Sequence, residues 1–287
     1  MNEIARITEQ ISLLAFLVCS MSAVGLALTP RAMVAPLCHA RLVITAMLLN
    51  FALGPAFAWL LTRVFPLEQP YAVGLLLLGG AAGAPFLPKL VEMARGDAAV
   101  AVALMVLLTL GTIFFMPFAL PLMIPGFQTA PWDIARSLLL LMLLPFFCGM
   151  IFRGCAASTA EQLAPILAKI GSVSLMVVSA VMIIRNFPAL IGIVGHGAIA
   201  LTVVYIAGLF AAGRWCEKAG LGGHGVLGFA TAARNFGAAL VPATQSFSDP
   251  KVATMLVVSA TVTLALTFAL AARQRRAVAP GLPPGVS

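Results

Sequence analysis

The chain is built from long runs of apolar residues that recur along most of its length and are separated by short stretches with charges, prolines or glycines. A membrane-spanning helix needs about 20 predominantly apolar residues, because the hydrocarbon core of a bilayer is about 30 Å thick. Of the 287 residues, 62% are hydrophobic and 9% are charged, whereas roughly a quarter are charged in an ordinary soluble domain. These features predict an all-α integral membrane protein and exclude a soluble enzyme or a disordered chain.

The formal net charge of +8 does not indicate nucleic-acid binding, because the basic residues lie mostly in connections between apolar runs. That placement is typical of cytoplasmic anchors under the positive-inside rule. The five cysteines are scattered and form no CxxC or Cys/His cluster, so we expect neither a disulfide framework nor a metal site. We expect no cofactor, and sodium coupling is treated below as an open alternative.

Charges, prolines and glycines divide the chain into nine predicted transmembrane helices within a single membrane domain. We place them at about 9–29, 39–65, 70–96, 98–124, 132–152, 164–185, 188–212, 221–246 and 250–273. The Pro/Gly-rich tail 277–287 is predicted to be disordered.

The distribution of basic residues predicts the orientation. If the N-terminus is outside, ten of the seventeen basic residues fall on inner segments and five on outer segments, with Lys89 and Arg234 set aside as intramembrane. This bias favours an outer N-terminus and a cytoplasmic C-terminus. Because the first apolar run is long enough to span the membrane, we expect no cleaved signal peptide. Because the loops are short, we expect a bacterial inner membrane protein.

Two runs carry helix-breaking or polar residues in their middle. Residues 79–89 read GGAAGAPFLPK, and residues 228–237 read GFATAARNFG. Pro85 and Pro88 each remove a backbone donor, and free backbone groups in hydrocarbon must be satisfied by protein or cavity water. We therefore predict two discontinuous helices inside the bundle.

The two interrupted runs also occupy matching places in the chain. Their centres lie near residues 86 and 234, five spans apart, and each run is followed by a long uninterrupted span. Paired interrupted segments of this kind indicate a transporter built from inverted repeats. We expect pseudo-repeats at about 9–124, with four spans, and 132–273, with five.

Lys89 and Arg234 are the two predicted intramembrane charges, and each has two interpretations. Lys89 is either neutralised by Glu92 one turn later or faces a cavity and attracts an anion. Arg234 has no acidic residue within a turn. It is either a structural arginine bonded to backbone carbonyls of the crossed segments or a direct ligand of a carboxylate or sulfonate.

Other polar residues near mid-membrane complete the set. Thr231 and Asn235 could satisfy backbone groups or contact substrate, while Asn50, Asn186 and His196 fit helix–helix hydrogen bonds better than ligation. His196 could also titrate in a proton-coupled cycle. The candidate substrate-binding residues are Arg234, Asn235, Thr231, Lys89, Asn50 and His196.

At these residues the chain resembles the bile acid:sodium symporter family in its broad sense. The resemblance rests on 79–88 followed by Ala-Arg-Gly-Asp at 94–97, on 231–235, and on Asn50-Phe51 with Pro55. It implies two crossed discontinuous helices in a core domain, a smaller panel domain, and substrate in the cleft between them. Here the panel would comprise spans one, five and six.

The sequence departs from that family at the positions that bind sodium. Sodium-coupled members carry a hydroxyl residue and an asparagine at the first crossing, where this chain has Leu87-Pro88. They also carry a glutamate four residues before a Gln-Asn pair in the second, where this chain has Ala230 and Arg234-Asn235. We hypothesise that Arg234, with Lys89 as a second candidate, supplies in fixed form the positive charge that sodium supplies elsewhere.

The sequence therefore predicts a secondary transporter that moves a small or amphipathic organic anion across the lipid bilayer by alternating access, without sodium. The alternatives are a sodium-coupled bile acid or organic anion symporter and a non-transporting receptor with a degenerate transporter fold. We do not expect an enzyme, because the sequence shows no Ser/His/Asp grouping, paired intramembrane carboxylates or metal-ligand spacing.

Overall fold

The computed structural model describes residues 2–29, 39–124, 126–127, 129–185, 197–222 and 225–277. These residues are helical apart from short connections and contain no β-strand. The helices are α1 Asn2–Ala27, α2 Ala40–Leu48, α3 Gly54–Val64, α4 Gln69–Gly80, α5 Leu87–Met93, α6 Ala98–Met123, α7 Pro131–Leu138, α8 Leu144–Cys155, α9 Ala157–Arg185, α10 Ala198–Lys218, α11 Leu227–Ala232, α12 Phe236–Ser246 and α13 Pro250–Ala277.

Seven stretches of the described chain are long and apolar enough to cross a membrane. They are Glu3–Ala27, Ala40–Val64, Ala98–Met123, Pro131–Cys155, Ala157–Val181, Ala198–Lys218 and Pro250–Arg276. The chain is therefore an all-α, multi-pass membrane protein. The other two predicted spans, 70–96 and 221–246, contain the helix pairs α4–α5 and α11–α12 in place of continuous helices.

The seventh predicted span is shifted relative to the helix that the structure contains. We predicted 188–212, whereas α10 follows Gly197, in the left-handed region at φ 72°, and ends at Lys218. The predicted end at 212 assumed that the span stops before the charged Arg214. In the structure Arg214 and Glu217, one turn apart, pair with each other, so the helix continues through both charges. The predicted start at 188 lies outside the described residues, as do the tail residues 278–287.

Two spans contain a π-helical turn, Leu49–Leu53 between α2 and α3 and Leu139–Leu143 between α7 and α8. Each turn precedes a proline by two residues, Pro55 and Pro145. Proline has no N–H to donate to the carbonyl four residues earlier, and a π-turn accommodates that missing bond. The first π-turn contains the buried Asn50.

The helices pack in two groupings that matter for the site. α1 packs along α9 and against α8, with backbones so close that a Cβ atom on Gly25 would lie 2.1 Å from the carbonyl oxygen of Phe146. α4 is buried on nearly every side, against α3, α6 and α13. A helix that is apolar and buried all round belongs to the centre of a bundle, so the first interrupted segment lies in the protein interior.

Candidate functional site at the crossing of two broken helices

Both interrupted segments leave the helical conformation and contact each other directly. α4 ends at Gly80 and α5 begins at Leu87, while α11 ends at Ala232 and α12 begins at Phe236. The backbone N–H of Asn235 in the second interruption donates to the carbonyl oxygen of Ala81 in the first, at 3.1 Å. A backbone bond between two unwound segments satisfies groups that neither segment can satisfy alone.

The side chain of Asn235 adds two further bonds at the crossing. Its Nδ2 donates to the carbonyl oxygen of Gly83 at 3.0 Å, and its Oδ1 accepts from the backbone N–H of Ala238 at 3.1 Å. The second bond is an N-cap of α12, a role for which asparagine is among the preferred residues. One amide therefore begins a half-helix and bonds it to the opposite interruption.

Two threonines of α6 bond to further backbone groups of the first interruption. Thr112 Oγ1 accepts from the N–H of Ala82 at 2.8 Å and donates to the carbonyl oxygen of the same residue at 3.0 Å. Thr109 Oγ1 lies 2.9 Å from the carbonyl oxygen of Gly83. Neither residue was among our predicted site residues. Their sequence signal is two hydroxyls one turn apart in the apolar span that follows the broken helix.

Gly83 can only be a glycine at this crossing. Its φ of +79° lies in the left-handed region, and a Cβ atom would lie 2.3 Å from the backbone nitrogen of Thr109. Glycine adopts that conformation without steric cost, and it also allows the backbone of α6 to approach the unwound chain.

Arg234 is fully buried, with 0% of its surface exposed, and its guanidinium is surrounded by oxygen atoms. Nε donates to the carbonyl of Leu78 at 3.1 Å, and Nη2 donates to the carbonyl of Gly79. Nη1 donates to Oδ1 of Asn50 at 3.1 Å and lies 3.4 Å from the carbonyl of Thr231. We call these four oxygens the oxygen cage.

Three of the four cage oxygens are carbonyls from the last turns of half-helices. Leu78 and Gly79 lie in the last turn of α4, and Thr231 lies in the last turn of α11. The last carbonyls of a helix lack intrahelical partners and carry the negative end of its dipole. The geometry therefore holds a cation in a buried site, and among the described residues no carboxylate lies within ion-pair distance of the guanidinium.

The π-turn and α10 close the other side of the oxygen cage. Asn50 Nδ2 donates to the carbonyl of Ala46 at 2.9 Å, which leaves its oxygen directed at the guanidinium. Tyr205 of α10 donates to the carbonyl of Gly54 at 3.2 Å. A Cβ atom on Gly54 would lie 3.4 Å from Nη1 of Arg234, in ordinary contact, so Gly54 packs directly against the guanidinium.

The structure thus brings together Arg234, Asn235, Thr231 and Asn50, and it places Lys89 elsewhere. The side chain of Lys89 is 71% exposed, and its Nζ lies 3.0 Å from Oε2 of Glu92. Lys89 is not among the hydrogen-bond partners of the crossing. His196, together with Asn186, lies outside the described residues.

A model of the Sodium Bile acid symporter family matches residues 14–193. The matched range covers more than half of the chain and contains the first interrupted segment. The chain belongs to this family. The Sodium Bile acid symporter match confirms the resemblance drawn from the crossing residues, and membership indicates a membrane transporter of the bile acid:sodium symporter kind. A search of curated proteins found no match.

Proposed function

We propose that the protein is a secondary transporter of a small or amphipathic organic anion, that it works by alternating access, and that it is independent of sodium. The observation that carries the proposal is the buried guanidinium of Arg234, held by the oxygen cage without a carboxylate among the described residues. Arginine keeps its charge in proteins, so this cation is permanent.

The position of that charge supports sodium independence. In transporters built from broken helices, unwound carbonyls and the C-terminal ends of half-helices coordinate the coupling cation. In this chain the carbonyls of Leu78, Gly79 and Thr231 already accept hydrogen bonds from Arg234. Because the guanidinium of Arg234 occupies these oxygens, they are not free to coordinate a sodium ion.

The oxygen-bearing side chains near the crossing are engaged as well. Asn235 uses its amide for Gly83 and Ala238, and Thr231 Oγ1 donates to the carbonyl of Leu227 at 2.7 Å. Ala230 has no side-chain oxygen. A sodium site here would therefore have to displace bonds that hold the two interruptions together.

A fixed positive charge in a low-dielectric interior favours an anion nearby, because Coulomb interactions weaken less there than in water. The N-terminus of α12 begins at the same crossing, and the N-terminal ends of half-helices favour anionic groups. We propose that the anion lies beside the crossing, where the charge of Arg234 acts on it. Asn235, Thr231 and Asn50 are buried and bonded within the protein, so they contribute to the candidate site by holding the crossing and the guanidinium in place. Lys89, exposed on α5 and paired with Glu92, is a second candidate away from the crossing.

A narrow apolar crevice of about 10 Å³, room for about one water molecule, lies next to the crossing, and we propose that it widens to receive the hydrocarbon part of an amphipathic anion. Its wall includes Met21 of α1, Met105 and Thr109 of α6, and Met142 and Phe146 around α8. Thr109 bonds to Gly83, so the crevice borders the first interruption. Methionine side chains adapt to irregular apolar ligands.

We infer the full architecture from the same arrangement. Each broken pair counts as one span, which gives nine spans in two pseudo-repeats at about 9–124 and 132–273. Helices α1, α7–α8 and α9 would form the panel, and the remaining spans would form the core. The N-terminus would lie outside and the C-terminus in the cytoplasm of a bacterial inner membrane.

The test begins with thermal unfolding of the purified protein in the presence of carboxylates, sulfonates and bile acids, with sodium chloride or choline chloride. The anion that raises the unfolding temperature is then followed into proteoliposomes. We expect uptake to be the same in both salts. Uptake that requires sodium would contradict the proposal and favour the sodium-coupled symporter.

The receptor alternative is separated by counterflow in the same proteoliposomes. A transporter exchanges labelled external anion for unlabelled internal anion. Binding in detergent without counterflow would show a receptor with a degenerate transporter fold.

A further inference from the structure

A buried carboxylate lies at the opposite end of α11 from Arg234. Glu217 is in the last turn of α10, and 7% of its side chain is exposed. Its Oε1 accepts from the backbone N–H of Leu227 at 2.6 Å and from that of Gly228 at 3.4 Å. Its Oε2 accepts from Nη1 of Arg214.

These bonds replace a cap that α11 lacks. Val226, the N-cap residue of α11, makes no side-chain cap hydrogen bond, although the first N–H groups of any helix need partners outside it. Glu217 supplies them from another helix, and hydrogen bonds to an ionised acceptor are the stronger kind. Arg214 neutralises the carboxylate from one turn away on the same helix.

Helices α10 and α11 also pack too closely to slide freely past each other. A Cβ atom on Gly213 would lie 2.6 Å from the carbonyl of Leu227, and one on Gly228 would lie 2.7 Å from Cγ of Arg214. Backbone therefore packs on backbone, and the position of α11 follows that of α10.

α11 has six residues, so its two ends are less than two turns apart. One end is bonded to α10 through Glu217, and the other end leads directly to Arg234 in the oxygen cage. A helix this short is not stable alone. Its position is therefore set by these two attachments together with its packing against α2, α5, α6 and α13.

We propose that Glu217 is a positioning residue that holds α11 so that Arg234 stays in the oxygen cage. Its effect on transport rests on the function proposed above. The carboxylate acts by accepting the N–H groups of Leu227 and Gly228, and its pair with Arg214 orients it.

The first test is hydrogen–deuterium exchange of the purified full chain, which needs no substrate. We expect Glu217→Ala to accelerate exchange of the amides in 226–235 by about 10-fold or more, because the segment opens more often. Glu217→Gln keeps an acceptor oxygen, so it should restore most of the protection. Glu161→Ala is the matched control, since Glu161 also pairs with an arginine, Arg153, but is exposed. Unchanged exchange in Glu217→Ala would overturn the proposal.

The second test is uptake with taurocholate as the probe anion. We expect Glu217→Ala to raise KM by about 5-fold or more, whereas a purely structural loss would lower Vmax through less folded protein at constant KM. Glu217→Gln should keep KM near that of the wild type. Faster exchange with unchanged KM in Glu217→Ala would also overturn the positioning role. If the wild-type protein carries no taurocholate, the proposed function fails for this probe, and the exchange experiment still decides whether Glu217 holds α11.

Discussion

The side-chain oxygen of Asn50 accepts a hydrogen bond from Nη1 of Arg234 at 3.1 Å. This bond joins the π-turn of one span to the interruption of another, 184 positions away in the chain. Asn50 is neutral, so the pair keeps the full positive charge of the guanidinium.

Asn50→Asp tests whether that charge attracts the anion. Aspartate has nearly the same shape but would pair with Arg234 and cancel its charge, so we expect folded protein with uptake reduced by about 10-fold or more. Uptake in proteoliposomes and thermal unfolding measure the two quantities. Asn50→Ala is the control, because it removes the hydrogen bond without adding a charge. Equal uptake by Asn50→Asp and the wild type would show that the charge does not act on the substrate.

Arg234→Ala removes the charge itself. We expect uptake to fall by at least about 100-fold, while membrane insertion remains intact. Stability should also fall, because each buried carbonyl left without a partner costs about 1–3 kcal/mol. Arg234→Lys should not rescue uptake, since an ammonium group cannot reproduce the planar fork.

Arg153→Ala is the matched control for the arginine variants. Arg153 also donates to a carbonyl at a helix end, that of Leu26 at 2.9 Å, but it lies away from the crossing and pairs with Glu161. Its loss should leave uptake per folded protein unchanged. Normal uptake by Arg234→Ala would remove Arg234 from the site.

Thr112→Val tests the bonds between α6 and the first interruption. Valine has the same shape, but it leaves both the N–H and the carbonyl of Ala82 without partners in the interior. At about 1–3 kcal/mol for each group, we expect a clear decrease in the free energy of unfolding. Thr261→Val is the control, because Thr261 is exposed and bonds only within its own helix, to Val257 at 3.1 Å. A similar small change in both variants would contradict the role of Thr112.

Gly83→Ala tests the close approach at the crossing. The methyl group would meet the backbone of Thr109, and the positive φ adds strain of about 1 kcal/mol or more. We expect a large loss of thermal stability. Gly126→Ala separates the two causes, since Gly126 also has a positive φ of 76° but no atom within 4 Å of its Cβ position. If both variants lose the same stability, the contact with Thr109 contributes nothing.

The interruptions could be predicted from the sequence, whereas for Arg234 the sequence left two interpretations open. The structure matches the interpretation in which Arg234 bonds to backbone carbonyls of the crossed segments. Pro85, Pro88 and the surrounding small residues are local signals, because they act on their own backbone. Whether Arg234 faces a cleft or an oxygen cage depends on carbonyls about 155 positions away, and no local pattern encodes that distance. Glu217 was not among the predicted site residues for the same reason, because its partners in α11 are backbone N–H groups, which have no signature in the sequence.

For Lys89 the local position could be predicted from the sequence, but its exposure could not. The sequence placed it correctly in the first turn of a half-helix and identified Glu92 as its neighbour. Its exposure depends on which helices lie opposite, and that is a property of the packed bundle rather than of the residue spacing.

The hydrogen bond from the backbone N–H of Asn235 to the carbonyl oxygen of Ala81 has a consequence for the transport cycle. Separating the two broken helices would expose an unpaired donor and acceptor to hydrocarbon, at a cost of several kcal/mol. We therefore expect both broken helices to travel together as one rigid body. Under the proposed alternating-access mechanism, the displacement that opens alternate sides of the membrane would then occur between this body and the proposed panel of α1, α7–α8 and α9.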